Sequence, residues 1–293
     1  MISGEIHGLL VLDKPGGMTS RAALNRVQRW FPRGTKIGHT GTLDPLATGV
    51  LVICLGQATR LAEYVQAMPK TYRSTFRLGA RSDTDDADGV VVPLENARSP
   101  ERSAIERELV TFIGEIQQTP PAYSAAKMTG ERAYAVARRG DEVELKPRCV
   151  RIDRIEILSY SWPMLEVEVR CGKGTYIRSL ARDLGDKLGC GALVQTLRRT
   201  RVGIFSVDAA VTLESDPAAV LAKLRSLADA VTELPRVIVS AEDADALRHG
   251  RSIRHDGCGE IAVFDETNKL LAIGEMDATQ KRLRPSKVLP IIH

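Results

Sequence analysis

Three groups of residues in this 293-residue chain could do chemistry on a substrate. The first is Gly38-His39-Thr40-Gly41-Thr42-Leu43-Asp44-Pro45-Leu46-Ala47-Thr48-Gly49, where a carboxylate, an imidazole and several hydroxyls share a glycine-rich stretch. It directly precedes the apolar run Val50 to Leu55, and loops at strand ends are where a rigid scaffold presents reactive groups. Pro45 restrains Asp44 to an extended backbone, which fixes where the carboxylate points. Asp44 could serve as nucleophile or base. It could equally cap a backbone N–H in a structural turn, with His39 at the surface, and residue types alone favour the turn.

The second group is Gly172-Lys173-Gly174-Thr175-Tyr176-Ile177-Arg178. If Thr175 caps a helix, Arg178 falls in its first turn, where the helix dipole disfavours a cation. A local conflict of this kind calls for an acidic partner from elsewhere, or a phosphate. Asp44 is a candidate: a bidentate guanidinium would hold its carboxylate ionised and oriented. The alternative is an Arg178 solvated along the helix. The third group is Tyr72 between Lys70 and Arg73, an aromatic face beside positive charge. That pairing suits stacking on an unpaired base, or else Tyr72 is a core residue of a strand.

Other chemistries lack their residues. There is no G-x-x-x-x-G-K-[ST], G-x-S-x-G or H-E-x-x-H, which argues against nucleotide hydrolases, α/β-hydrolases and zincins. The acidic run Asp83 to Gly89 aligns poorly with a calcium loop, since Thr84 stands where the first Asp belongs. The Val90-Val91-Val92-Pro93 that follows reads as a strand, not an exiting helix. Five cysteines (Cys54, Cys149, Cys171, Cys190, Cys258) are scattered and odd in number, so reduced thiols are expected, not a disulfide framework or a zinc site.

The elements that must position these groups follow from periodicity. Gly8 to Leu12 and Val50 to Leu55 read as buried strands, the second buried on both faces in the middle of a sheet. Thr19 or Ser20 caps a helix to about Trp30, with Leu24 and Val27 inward. Thr71 to Leu78 and Leu165 to Cys171 alternate as half-buried strands. Helices are expected around Ser103 to Ile113 and from Ile177 to Leu188, and Thr212 to Val231 reads as a helical connection. Beyond Leu234-Pro235 come a short helix (Ala241 to His249) and strands at Ile261 to Phe264 and Leu270 to Ile273, a compact β-rich segment. The sum is a mixed α+β domain on a large, mainly antiparallel sheet flanked by helices, plus a small second domain.

Net charge is only +4, but it is unevenly spread. Arg170 to Arg201 holds eight Lys/Arg against Asp183 and Asp186, and Ala126 to Arg154 holds eight basic against five acidic residues. Arg81 to Glu115 is acidic instead, a polarity suited to a polyanion-binding face. The longest apolar stretch, Gly49 to Leu55, is too short to cross a bilayer, and Met1 to Glu5 lacks the features of a signal peptide, so a cytoplasmic location is expected. No hydrophobic stripe asks for a partner, so the expected state is a monomer.

The unbroken segment Gly38 to Gly49 closely resembles the catalytic motif of bacterial TruB-type tRNA pseudouridine synthases. Other segments agree in the same order: Asp13-Lys14-Pro15 with Gly17-Met18-Thr19-Ser20, Lys70-Thr71-Tyr72, Pro120-Pro121-Ala122-Tyr123-Ser124-Ala125 with Lys127, and Gly174-Thr175-Tyr176-Ile177-Arg178-Ser179-Leu180. The resemblance covers about residues 5 to 205, and the tail from about Leu234 is similar, more weakly, to a PUA-type RNA-binding domain. It implies a pseudouridine synthase catalytic domain over 1–232, with an RNA-gripping insertion at about 119–148, and a PUA-like domain over 233–293. It implies isomerisation of the uridine at tRNA position 55, in the T-arm stem-loop, without metal or cofactor, and a secondary role in tRNA folding. It assigns Asp44 as the essential carboxylate, Arg178 as its partner and Tyr72 as the residue stacked on the target base. His39, Lys14, Tyr176, Lys127 and Leu197 are expected at the RNA. Reaching a stacked uridine requires flipping it out, at a cost of a few kcal/mol. Two other functions compete: a non-catalytic RNA-binding protein, and a carboxylate-dependent glycosylase that releases the base.

Overall fold

The computed structural model describes residues 6–124, 127–128, 131–132, 139, 145–277 and 279–290. The strands of the larger domain are β1 (Gly8–Lys14), β2 (Ile37–His39), β3 (Thr48–Leu55), β4 (Lys70–Leu78), the hairpin β5 (Ala80–Ser82) and β6 (Val91–Pro93), β7 (Gly114–Gln118), the short pair β8 (Lys127–Met128) and β9 (Glu131–Arg132), β10 (Arg148–Ser161), β11 (Met164–Cys171), β12 (Ala192–Val202) and β13 (Phe205–Ser206). Nine of them form one sheet in the order β1-β3-β12-β4-β11-β10-β7, with β2 beside β3 and β13 beside β12. All neighbours run antiparallel except β3 and β12, which meet in parallel at Arg198↔Thr48 and Arg199↔Gly49. Among the described residues the helices of this domain are α1 (Ser20–Gln28), α2 (Ala62–Ala67), α3 (Arg102–Val110) and α4 (Ile177–Lys187), followed by the short Pro217–Leu221 helix.

Each apolar period finds its own cover. Inward residues of β4 and β11 (Phe76, Leu78, Leu165, Val167, Val169) pack against Ile177, Leu180, Ala181 and Leu184 of α4 and Ile105 and Leu109 of α3. Leu10, Leu12, Leu51 and Ile53 of β1 and β3 meet Ala23, Leu24 and Val27 of α1, whose first turn Thr19 caps by accepting from Ala22 N–H at 3.1 Å. The opposite face of β1 and β3 (Leu9, Val11, Val50, Val52, Cys54) joins a cluster with Leu61, Val65, Val202 and Phe205. This double cover is why Val50 to Leu55 shows no alternation.

Residues 236–288 form a separate five-stranded sheet in the order β14 (Arg236–Ile238), β16 (Glu260–Phe264), β17 (Leu270–Asp277), β18 (Arg282–Val288), β15 (Ile253–Arg254), packed by the Ala241–Arg248 helix. Ala262, Phe264, Leu270 and Ile273 complete the cluster over β1 and β3. Polar ties reinforce the seam: Tyr64 Oη donates to Glu260 at 2.7 Å, and Lys287 Nζ lies 2.7 Å from Glu63.

Two expectations are corrected. Residues 212–231 are not one helical connection: beyond the Pro217–Leu221 helix only a 3-10 turn, Leu227–Val231, is helical. The chain instead returns twice to the edge of β1, with Asp13 N–H donating to Val211 O at 2.8 Å and Leu9 exchanging bonds with Arg225. An edge strand otherwise leaves its N–H and C=O groups unpaired, and these returns satisfy them. Thr175 does not cap α4. Tyr176 occupies that position, and its backbone is held by a side chain from β7. The 119–148 insertion lies largely outside the described residues.

Candidate active site

The Gly38–Gly49 loop is braced from outside its own span. Ser20 Oγ, at the start of α1, accepts from Leu43 N–H at 2.8 Å and donates to Leu43 O at 3.0 Å. Thr40 N–H donates to Val52 O at 3.0 Å, and Ala47 N–H closes a turn onto Asp44 O at 3.1 Å. Leu43 and Ala47 are buried in the core on either side of Asp44. The carboxylate therefore stands on a tight turn anchored before and after it, with 35% of its side chain exposed.

Arg178 faces it from the first turn of α4, with only 4% of its side chain exposed. Its Nε lies 3.0 Å from Asp44 Oδ2, yet that N–H is not aligned on any acceptor, so the contact is a charge pair and not a hydrogen bond. A bidentate grip on Asp44 is not observed. The guanidinium spends its remaining donors elsewhere: Nη1 on Thr84 O at 2.8 Å, Nη2 on Tyr123 O at 2.9 Å. Nη1 also lies 3.5 Å from Asp86 Oδ2, so one buried cation joins two carboxylates. Burial pushes the Asp86 carboxyl up, opposed by the Thr84 hydroxyl bond and by Arg178.

Gln118, at the end of β7, sets the start of α4. Its Oε1 accepts from Tyr176 N–H at 2.8 Å and its Nε2 donates to Tyr176 O at 3.1 Å. Ser179 and Arg182 both donate to Thr119 O, and Arg182 Nη1 reaches Asp85 Oδ2 at 2.9 Å. The acidic run read as a poor calcium loop is thus a turn locked to α4, with Asp86 alone of its residues buried. Its own backbone joins β12, through Val194 N–H to Asp85 O and Ala87 N–H to Val194 O.

The other expected residues distribute unevenly. Tyr72, half-buried on β4, lies opposite Arg199 of β12 and Val169 of β11. Burial raises its phenol, while the positive charge of the Arg199 guanidinium works the other way. His39 ends β2 half-buried, its Nδ1 without a hydrogen-bond partner, and burial followed by Arg199 and Arg21 pushes its pKa down, so the ring is neutral. Leu197 is 7% exposed and belongs to the core cluster beneath the loop. The Tyr176 side chain is half-buried at the α4 cap, and the Lys127 side chain lies outside the described residues.

Lys14 is placed differently from its expected RNA contact. It is fully buried, and its ammonium donates to Pro15 O (2.8 Å), Met18 O (2.8 Å) and Pro45 O (3.4 Å). It ties the β1 exit to the Asp44 turn, and burial pulls its pKa down to about 8.

Sequence reasoning does not find Ser20, Asp86, Gln118 or Arg199 as parts of the site. Ser20 reads there as a helix cap and a member of the Gly17–Ser20 motif, Asp86 as part of a poor calcium loop, and Arg199 only as charge. The arrangement as a whole is a half-open carboxylate beside a buried guanidinium, next to an aromatic ring and a neutral imidazole. Such a site can attack, or take a proton from, a substrate bound above the loop.

Comparison with known proteins adds a family. Residues 29–177, which contain Asp44, match the model described as "TruB family pseudouridylate synthase (N terminal domain)". Residues 178–244, which begin at Arg178, match "tRNA pseudouridylate synthase B C-terminal domain". A "tRNA pseudouridine synthase B" of Azoarcus sp. (strain BH72) is 42% identical over 290 residues, covering 97% of this chain and 95% of that protein. One of Pseudomonas aeruginosa (strain UCBPP-PA14) is 39% identical over 299 residues, covering 98% and 97%. Among solved structures, a chain of a Cbf5-Nop10-Gar1 complex superposes with a TM-score of 0.76 at 26% identity, covering 97% of this chain and 85% of that one.

Proposed function

The chain belongs to the TruB family of pseudouridylate synthases, and from this we propose that Asp44 is the essential carboxylate with which it isomerises a flipped-out uridine at position 55 of tRNA. The protein is an RNA pseudouridine synthase acting on tRNA. The observation that carries the assignment is the charge pair of Arg178 with Asp44, the first 4% and the second 35% exposed. A buried guanidinium sets a fixed counter-charge beside a partly open carboxylate and orients it for attack or proton abstraction.

In the reaction the bond from ribose C1′ to N1 breaks, the base turns, and C1′ bonds to C5. The overall change is an isomerisation: the proton lost from C5 is balanced by one gained at N1. The Asp44 carboxylate can attack the sugar, add to the base, or remove a sugar proton, and the geometry serves all three. Tyr72 offers its face to the extruded base, and Arg178 holds Asp44 while Asp86 balances its charge. His39, neutral at the loop's rim, faces the space vacated by the base. The T-arm stem-loop is the recognised element, gripped by the insertion that carries Lys127 and by the 233–293 domain acting as an RNA-binding unit. The enzyme works in the cytoplasm as a monomer. Among the described residues, no helix is long and apolar enough to span a membrane.

The test is to incubate the protein with a T-arm stem-loop and analyse its nucleosides. Pseudouridine from the wild type, and none from Asp44→Asn, supports the proposal. Free uracil would indicate a glycosylase, and tightly bound but unmodified RNA a binding protein. A folding role is separable, since Asp44→Asn should still accelerate refolding of misfolded tRNA.

A further inference from the structure

Arg199 is 3% exposed, and among the described residues no carboxylate lies within ion-pair distance of it. Its charge rests on carbonyls instead: Nε donates to Val50 O at 2.7 Å and Nη2 to Gly41 O at 3.0 Å. Those carbonyls flank the Asp44 loop on both sides. The backbone of Arg199 is equally central, because β12 runs between β3 and β4 and Arg199 pairs with Gly49 on one side and Tyr72 on the other. Residues directly opposite on neighbouring strands point to the same face, which sets the guanidinium beside the Tyr72 ring. Arg178 is differently served: that cation has Asp44 and Asp86, whereas Arg199 has neutral partners only.

An uncompensated buried cation is costly to keep. A neutral amide could satisfy a backbone carbonyl as well, so bracing the loop does not explain the charge. A neighbour whose placement or ionisation depends on that charge does, and Tyr72 is the one that pairs with Arg199.

We propose that Arg199 is a positioning residue that acts on the reaction through its cross-strand partner Tyr72, its buried guanidinium holding the phenol so that the ring face is fixed for the target base. The inference rests on Tyr72 serving the base, as assigned above.

A double-mutant cycle separates this from loop bracing. Single-turnover rates and stem-loop affinities would be measured for wild type, Arg199→Gln, Tyr72→Phe and the double variant. Arg199→Gln is expected to slow turnover about tenfold or more with affinity within about threefold, and to cost less than about threefold in the Tyr72→Phe background. With 3-fluorotyrosine incorporated, the fluorine resonance that disappears in Tyr72→Phe identifies Tyr72, and its titration midpoint should move to higher pH in Arg199→Gln. Arg199→Lys, which keeps the charge, should largely restore that midpoint, and it carries the same cycle if Arg199→Gln does not fold. Equal costs in both backgrounds, or an unmoved Tyr72 midpoint, would overturn the proposal and leave Arg199 a loop brace. A wild-type rate for Tyr72→Phe, which keeps the ring face and loses only the hydroxyl, would overturn it too, whereas a wild-type rate for Tyr72→Ala would remove the stacking assignment on which it stands.

Discussion

At the scale of single residues, the site is built from charges whose partners lie far away in sequence. Arg178→Ala would leave Asp44 and Asp86 facing one another without their shared cation. Single-turnover rate should fall about 100-fold or more, while stem-loop affinity changes less than about threefold. Comparable losses in both would make Arg178 a phosphate contact. Lys14 gives a pH signature. Its folded value of about 8 lies below the ordinary 10.5, so its ammonium penalises the fold below pH 8, and the penalty is relieved as pH rises toward 10.5. Relative to Lys14→Met, the wild type should therefore gain up to about 3 kcal/mol of unfolding free energy between pH 8 and 10.5. Denaturant titrations at several pH values would show it, and parallel curves for the two proteins would refute it. The pairing of Arg178 with Asp44 is legible in the sequence, because Arg178 breaks a local pattern and Asp44 sits in a recognisable motif. Lys14 is not, because a lysine satisfied by three carbonyls looks, in sequence, like one that meets a phosphate. Asp86 is hidden for a similar reason: one buried carboxylate in an acidic turn resembles its solvated neighbours.

At the scale of elements, the loop works because β3 and β12 approach closely where it rejoins the sheet. Gly49 has φ of +100°, and a Cβ there would sit 2.2 Å from Arg199 O. Gly49→Ala should part the two strands and destabilise the protein by more than about 2 kcal/mol, read as a lowered denaturation midpoint. A second element-level device is Gln118, whose amide holds both backbone groups of Tyr176. Gln118→Ala should cost roughly 1–3 kcal/mol and slow turnover, since α4 carries Arg178. Unchanged melting and turnover would show that the α4 start is fixed by Ser179 and Arg182 alone. The strands of the site are readable from alternation and from the unbroken Val50–Leu55 run. The parallel pairing of β3 with β12 is not, because strands some 150 residues apart leave no local trace of each other. Nor is the broken 212–231 segment, whose apolar residues suit helix and edge-strand cover alike.

At the scale of the molecule, the smaller sheet is an RNA-binding candidate that also closes a core. Replacing Lys127 and Arg132 of the insertion with alanine should weaken stem-loop binding and flatten its dependence on salt, by about one slope unit for each phosphate no longer neutralised. Identical slopes for variant and wild type would move the grip elsewhere. The small C-terminal domain can be anticipated from its turn-rich strands. Its apolar seam with β1 and β3 cannot, because Ala262, Phe264, Leu270 and Ile273 serve its own sheet pattern equally well.

That seam sets an order on synthesis. The strand leaving the Asp44 loop ends at Leu55, but the last residue of its covering cluster is Leu289. At about 5–20 residues per second, a ribosome needs roughly 10–50 seconds to travel between them. During that interval the strand behind Asp44 has an unfinished wall, so the growing chain depends on staying unaggregated before it can act on RNA.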